Sequence, residues 1–233
     1  MTSVTFKLDD LYNTEAEVTL PDDKVIQVRT LTEAEANVRE LEAIKAASAV
    51  EAEMKDEATQ KHKDLIEPLQ QLTHDGRVAV TMSVAELTMR EEVARDKPFR
   101  YIPFPDDATE EEKRDVMLRR DEHEAKVRQD RSEELSRRLT RRREELQELE
   151  DGVLLERSRA ALVGTEAFNK RIDEFYSQTV YMSARHNGKP AFKLEAVRNH
   201  GKGDGLNEKV YRRLLEVYGE IDSVDPWVLQ KHS

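Results

Sequence analysis

Apolar and polar residues alternate in two short stretches near the start of the chain. In residues 16–20 (AEVTL) and 25–29 (VIQVR) apolar side chains recur at every second position, and a Pro-Asp-Asp sequence between them favours a turn. This pattern predicts a β-hairpin. Thr32 and Glu35 follow with the spacing of a capping box, so a helix should begin near Glu33.

A helical spacing of apolar residues replaces the alternation after Glu33. It predicts one helix that continues until Pro68 kinks or ends it, with few apolar residues beyond the first turns. Residues 74–76 (HDG) are typical of a turn, and residues 77–82 (RVAVTM) alternate like a short strand. A second capping-box spacing that begins at Ser83 predicts a further helix.

The middle of the chain is its most highly charged part. Residues 97–105 (KPFRYIPFP) contain three prolines, so this segment cannot be helical throughout. Acidic residues after Thr109 favour the start of a long helix that runs to Asp151. Its apolar residues recur every seven positions, but only part of the companion positions are apolar, which indicates half of a coiled-coil seam. We expect this helix to pack antiparallel against the helix over 33–72.

Apolar residues become denser again towards the end of the sequence. Their spacing between Ala167 and Tyr181 is helical, and residues 206–221 have the pattern of an amphipathic helix. Residues 187–190 (NGKP) favour a turn, and residues 200–205 (HGKGDG) favour a loop. This part should therefore form mainly helices joined by short connections.

These patterns predict a mainly α protein with a small β-hairpin. Residues 1–32 and 160–233 should form a small α+β head, and residues 33–159 a long antiparallel, coiled-coil-like helical arm that contains the Pro/aromatic segment at 97–105. The composition agrees with an extended arm, because 37% of the 233 residues are hydrophobic and 37% are charged. A single compact domain of this length would need to bury about 70% of its unfolded surface.

The net charge disfavours some classes of partner, and the cysteine content excludes some kinds of site. The net charge of −11 disfavours nucleic acid and anionic membranes, both of which are bound through basic surfaces. The sequence has no cysteine, so disulfides and thiolate metal sites are excluded. The first residues lack the pattern of a signal peptide, and no apolar run reaches roughly 18 residues. We expect a protein of the cytoplasmic type.

The sequence offers no catalytic or metal-binding motif with the required spacing. None of the six histidines lies three or four residues from another, as helical metal ligands would. The loop at 201–205 (GKGDG) lacks the spacing of a phosphate-binding loop, and the arginines at 141–143 are followed by acidic residues that can pair with them. We therefore expect no catalysis, no cofactor and no bound metal.

Two sets of apolar side chains are candidate partner-binding residues. The first choice is the three aromatic residues of the highly charged middle: Phe99, Tyr101 and Phe104. They could form a local mini-core, or they could present an apolar patch to a partner. The second choice is a stripe of the last helix, which the core of the protein itself would consume if the stripe faces inwards: Val210, Leu214 and Val217.

Three stretches near the two ends of the chain carry a family signal. They are VTLPDDKVIQVRTLTEAEA (18–36), TVYMSARHNGKPAFKLEAV (179–197) and LNEKVYRRLLEVYGEI (206–221). The first contains the pattern V-R-x-L-T-x-x-E, from Val28 to Glu35, and the second contains an N-G-K-P-x-F turn that begins at Asn187. In this combination the sequence resembles the tail assembly chaperones of long-tailed bacteriophages, and the charged arm is the part that is not matched.

The resemblance implies a helical, non-enzymatic chaperone. It would bind the tape measure protein, with tail tube subunits as a further client, and keep them in solution until the tail polymerises. It would act in the host cytoplasm and be absent from the mature virion. Two other classes stay open, namely a structural virion or scaffold protein with a coiled-coil arm and, more weakly, a nucleic-acid-associated helical protein. A homo-oligomer is open as well.

Overall fold

The structure is a computed structural model that describes residues 15–21, 23–99, 101–105 and 108–222. The predicted head also includes residues 1–14 and 223–233, and the Pro/aromatic segment also includes Arg100. Those parts of the predictions lie outside the described residues.

In the described part of the chain, two strands are followed by six helices, two further strands and two helices. They are β1 (Glu15–Thr19), β2 (Val25–Arg29), α1 (Glu33–Lys55), α2 (Gln60–Leu65), α3 (Glu67–Gln71), α4 (His74–Asp96), α5 (Glu110–Gln147), α6 (Asp151–Ser183), β3 (Ala184–His186), β4 (Lys189–Pro190), α7 (Leu194–Arg198) and α8 (Glu208–Asp222). Of the described residues, 73% are helical and a few form one small antiparallel sheet, which confirms the predicted fold class. Among the helices of the described ranges, none is both long and apolar enough to cross a membrane.

The chain folds into two compact units. The terminal unit comprises Met1–Glu51 and Glu166–Ser233, and the central unit comprises residues 52–165. Both boundaries fall inside long helices, α1 and α6, each of which contributes to both units. The boundaries at 32/33 and 159/160 that composition suggested stay predictions.

The sheet of the terminal unit joins two segments that are far apart in the sequence, Glu15–Arg29 and Ala184–Pro190. Its order is β1-β2-β3-β4 and every neighbouring pair is antiparallel, with Val18 opposite Ile26 and Val28 opposite Ala184. The predicted hairpin is therefore confirmed, and the sheet extends beyond it by two short strands that the sequence did not reveal. Asn187 and Gly188 connect these strands with φ angles of 52° and 75°. This left-handed pair is the usual chemistry of a two-residue hairpin loop.

The core of the terminal unit lies where helix α8 covers β1 and β2. Side chains with at most 1% of their surface exposed come from every part of the unit: Ile26, Val28, Val180, Ala184, Val197 and Leu214. Burial of one such aliphatic side chain stabilises a fold by roughly 1.5–3 kcal/mol. Alternating strand residues and one stripe of α8 thus supply a single apolar interior.

The first helix is shorter than the sequence predicted. Helix α1 ends at Lys55, thirteen residues before Pro68, so the prediction of one helix up to that proline is wrong. The carboxylate of Asp56 accepts a hydrogen bond from the Ala58 amide, and Thr59 caps helix α2 by accepting one from the amide of His62. These local side-chain bonds compete with helix propagation. Pro68 instead occupies the first turn of α3, where its missing amide hydrogen costs nothing.

The predicted strand at 77–82 is wrong, because this segment is the second turn of helix α4. The predicted turn at 74–76 is the first turn of the same helix, which Thr73 caps by accepting a hydrogen bond from the Gly76 amide. Ser83 lies inside the helix and donates to the carbonyl of Val80, so it does not begin a new helix. Val78 and Met82, four residues apart, pack with Leu146 and Leu154 in the core of the central unit.

Helix α5 begins as predicted, with a complete capping box between Thr109 and Glu112. It ends at Gln147, four residues before the predicted end at Asp151. It packs antiparallel along α4, and the prediction that it packs along the helix over 33–72 is wrong. Asp96 accepts a hydrogen bond from Arg138 at one end of the pair. At the other end, Met82 packs with Leu146.

Candidate partner-binding site

The three aromatic residues of the predicted site lie on the connection between α4 and α5. We call Phe99, Tyr101 and Phe104 the aromatic segment. The described residues of 97–105 form no helix or strand, as the prolines predicted. Phe99 is 45% exposed, Tyr101 76% and Phe104 36%, so each ring keeps a substantial surface in solvent. An apolar surface of this kind in a charged surround is typical of interaction sites.

Two arginines of helix α5 hold the aromatic segment in place. The guanidinium carbon of Arg120 lies 4.5 Å from the ring centre of Tyr101 and 4.1 Å from that of Phe104, and that of Arg131 lies 4.2 Å from that of Phe99. These distances are typical of cation–π contacts, worth about 0.5–1 kcal/mol each at exposed sites. One face of the segment is thus fixed by arginine instead of by other apolar side chains.

The same two arginines also bind backbone carbonyls of the connection between α4 and α5. Arg120 Nε donates to the Ile102 carbonyl over 2.8 Å, and Arg131 Nε donates to the Lys97 carbonyl over 2.8 Å. Arg131 Nη2 also donates to the Ala94 carbonyl in the last turn of α4. Each arginine therefore combines a stacking contact with a hydrogen bond, which fixes the positions of the rings before any partner arrives.

Ion pairs lie at the end of α4, just before the connection that carries the aromatic segment. Arg138 Nη2 donates to Asp96 over 2.9 Å, and its Nε donates to Glu134 over 2.8 Å. The hydrogen bond from Arg138 lowers the pKa of Glu134 below its ordinary value. Charged side chains thus lie close in sequence to the exposed rings, and polar residues commonly flank the central residues of protein–protein interfaces.

Sequence analysis did not identify Arg120 and Arg131 as part of this site. A usable signal was present, because the two residues are eleven positions apart, about three turns of an α-helix. That spacing places them on one face of α5. What the sequence could not show is that the 97–105 connection folds back over this face.

The second predicted set behaves differently. Leu214 is fully buried and Val217 is 3% exposed, so both side chains belong to the core of the terminal unit. Val210 is partly buried and lines a shallow groove of about 510 Å³ with Val18, Leu20 and other residues. Of this set, only Val210 is placed where a partner could reach it.

The described histidines belong to no cluster of metal-ligand side chains. Within the described ranges, no three or more histidine and acidic side chains come together closely enough to hold a metal ion. His74 contacts Asp151 through Nδ1 at 2.6 Å and the Gln147 carbonyl through Nε2 at 3.2 Å. These contacts connect the start of α4 to the end of α5 and the start of α6. Hydrogen bonding to His74 lowers the pKa of Asp151.

Comparison of the chain with protein-family models, with curated proteins and with solved structures gives no match.

Proposed function

We propose that this protein is a binding protein that holds a segment of a client polypeptide on the aromatic segment, and that it acts as a tail assembly chaperone of a long-tailed bacteriophage. The client is the tape measure protein, with tail tube subunits as a further client. The observation that carries the proposal is the set of three exposed aromatic rings held on α5 by two arginines. The family assignment rests on the resemblance of residues 18–36, 179–197 and 206–221.

The exposed rings of the aromatic segment are suited to binding an apolar stripe on a helical client. Aromatic side chains are enriched among the residues that dominate binding energy, and truncation of one commonly costs about 2 kcal/mol or more. The rings of the aromatic segment are already ordered by Arg120 and Arg131. Binding therefore loses little conformational entropy on this side of the interface. A long helical client with exposed apolar residues would gain most from such a surface.

The proposed chaperone acts in the host cytoplasm and leaves before the virion is complete. The competing function is a structural virion or scaffold protein, which would use the same surface permanently. Mass spectrometry of finished particles separates the two classes, because a chaperone is absent from them and a structural component is present in stoichiometric amounts.

The direct test replaces Phe99, Tyr101 and Phe104 with serine and measures co-purification with a co-expressed tape measure protein. Loss of three anchors should weaken binding more than about 100-fold, so the client should no longer co-purify. The variant should stay folded, because none of the three rings is buried, and its thermal unfolding transition should fall by only several degrees, as expected for loss of three exposed cation–π contacts.

A matched control replaces three other exposed apolar residues of the central unit with serine: Leu87, Met117 and Leu118. Their exposed fractions are 62%, 57% and 59%. This control should retain the client. If the aromatic variant unfolds, the segment is a structural mini-core. If it stays folded and still binds the client, the client-binding surface lies elsewhere.

A further inference from the structure

Helix α1 carries an apolar stripe that the terminal unit does not use. Val38, Leu41 and Ile44 are exposed and three residues apart, which aligns them along one side of the helix. The buried residues of α1 in this unit, Ala43 and Val50, lie on the opposite side. Within the described part of the chain, the side chains of this α1 stripe remain open to solvent.

Acidic residues border the α1 stripe on both sides. At 100° per residue, Glu40 and Glu51 lie on one side of the stripe and Glu42 lies on the other. Glu40 reaches Arg171 at 3.2 Å and Glu42 reaches Lys45 at 2.7 Å, both at exposed positions where a pair contributes little. The exposed side of α1 thus has three glutamates against one lysine, Lys45, which lies between Val38 and Leu41 on the helical wheel and pairs with Glu42.

The central unit contains a groove with the complementary character. It lies between α4, α5 and α6 and has a volume of about 600 Å³. Aliphatic and small side chains form its floor: Val84, Ala85, Met89, Ala160 and Ala161. Four arginines line it against only two carboxylates: Arg138, Arg141, Arg142 and Arg157 against Glu92 and Glu145. Arg138 already pairs with Glu92, Asp96 and Glu134, whereas Arg141 and Arg142 share one carboxylate, that of Glu145. The end of the groove formed by Arg141, Arg142 and Arg157 is therefore locally positive on a chain whose net charge is −11.

The dimensions of the two surfaces agree. The groove extends along α4 from Thr81 to Glu92, a length of about 16 Å at 1.5 Å per residue. The α1 stripe spans about 9 Å from Val38 to Ile44 by the same measure. A groove between helices that accepts the apolar face of another helix is a recurrent mode of recognition.

We propose that the groove of the central unit binds the α1 stripe of a second copy of this chain. The apolar side chains of the stripe cover the floor of the groove, and the flanking glutamates approach the arginines of its rim. The contact joins two different surfaces, so the association is head-to-tail and leaves one free groove and one free stripe on a dimer. Because the interface is small and the chain strongly acidic, the dissociation constant should be on the order of tens of micromolar.

The test uses two variants of the full chain, the stripe variant Leu41→Asp and the groove variant Arg141→Glu combined with Arg157→Glu. All three positions are exposed, so both variants should keep the far-UV circular dichroism of the wild type. Sedimentation velocity over a wide range of protein concentration should show self-association of the wild type and monomers for each variant alone. Leu118→Asp and Arg128→Glu, at exposed positions of α5 outside the groove, are the matched controls and should associate like the wild type.

Mixing the two variants gives the decisive result. The stripe variant keeps an intact groove and the groove variant keeps an intact stripe, so an equimolar mixture should form heterodimers and nothing larger. Two monomeric variants that stay monomeric when mixed would overturn the proposal. A variant that associates alone would overturn it too, since stripe-to-stripe contact leaves the groove variant associating and groove-to-groove contact leaves the stripe variant associating. A wild type that is monomeric at every concentration would overturn it as well. The serine variant of the aromatic segment should still associate, which separates this proposal from the client-binding function.

Discussion

Replacement of Glu35 should destabilise the terminal unit in a way that depends on pH. The Glu35 carboxylate accepts hydrogen bonds from both terminal nitrogens of Arg29, at 2.9 and 2.5 Å, and from the amide and hydroxyl of Thr32, both at 3.0 Å. Arg185 of strand β3 approaches it at 3.4 Å. One carboxylate therefore connects β2, the start of α1 and β3.

The size of the effect follows from these contacts. The hydrogen bond from Arg29 lowers the pKa of Glu35 from 4.5 to about 2. A shift of that size corresponds to roughly 3 kcal/mol, and screening at a side chain that is 26% exposed reduces it to about 1–2 kcal/mol. We expect this loss for Glu35→Gln. Glu35→Ala also removes half of the capping box, so it should cost about 2–3 kcal/mol.

The pH dependence has a definite sign. Because the pKa is lower in the folded state, the carboxylate stabilises the fold fully above the unfolded value of 4.5 and progressively less as the pH falls towards 2. The stability difference between wild type and Glu35→Gln should be constant between pH 7 and about pH 5.5 and should have shrunk by more than half near pH 3.

Urea unfolding combined with hydrogen exchange at the amides of β2 measures this difference within the terminal unit. Glu33→Gln, an exposed acidic residue in the same helical turn, is the control and should change stability by less than about 0.5 kcal/mol. The reasoning fails if Glu35→Gln behaves like Glu33→Gln at pH 7, or if its deficit is the same at pH 3 as at pH 7.

Two further substitutions test the packing of the central unit and a turn of the terminal unit. Leu154→Ala should lower the free energy of unfolding of the central unit by about 2.5–4 kcal/mol, because Leu154 is fully buried. Val153→Ala at an exposed neighbour should change it little, and equal effects of the two on urea unfolding would contradict the assigned core. Gly188→Ala should cost about 1 kcal/mol, since φ is 75° at that residue. Faster amide exchange in β3 and β4 would report this cost, and unchanged exchange would count against the assigned turn.

The elements that the sequence predicted correctly are those with strong local signals. The β1–β2 hairpin has alternating apolar residues and a Pro-Asp-Asp turn, and helix α5 has a complete capping box at Thr109. Both signals act over a few residues and need no distant partner. The same holds for the prolines that keep 97–105 out of a helix.

The elements that the sequence mispredicted depend on distant contacts or on weak local competition. Val78 and Met82 fit both a strand period and a helix period, and the choice is made by Leu146 and Leu154 from other helices. Strands β3 and β4 have only three and two residues, too few for a recognisable alternation. The end of α1 has neither glycine nor proline, and the side-chain hydrogen bonds of Asp56 and Thr59 mark it.

The candidate site was predictable in part. Three aromatic residues in a charged context were visible in the sequence, and the structure places all three at exposed positions. Their pairing with Arg120 and Arg131 required the tertiary path of the connection. The stripe at Val210, Leu214 and Val217 was recognisable as apolar, but which neighbour covers it is decided by the sheet.

The pairing of β2 with β3 affects the order in which parts of the chain fold while the ribosome synthesises it. Gln27 pairs with Arg185, so about 160 residues must be synthesised between the two partners. A two-stranded hairpin alone is at best marginally stable in water, and β1 and β2 must wait for β3 and α8. The central unit is contiguous in sequence and can fold during this interval. In a growing chain, the middle of this protein should therefore be native before its beginning.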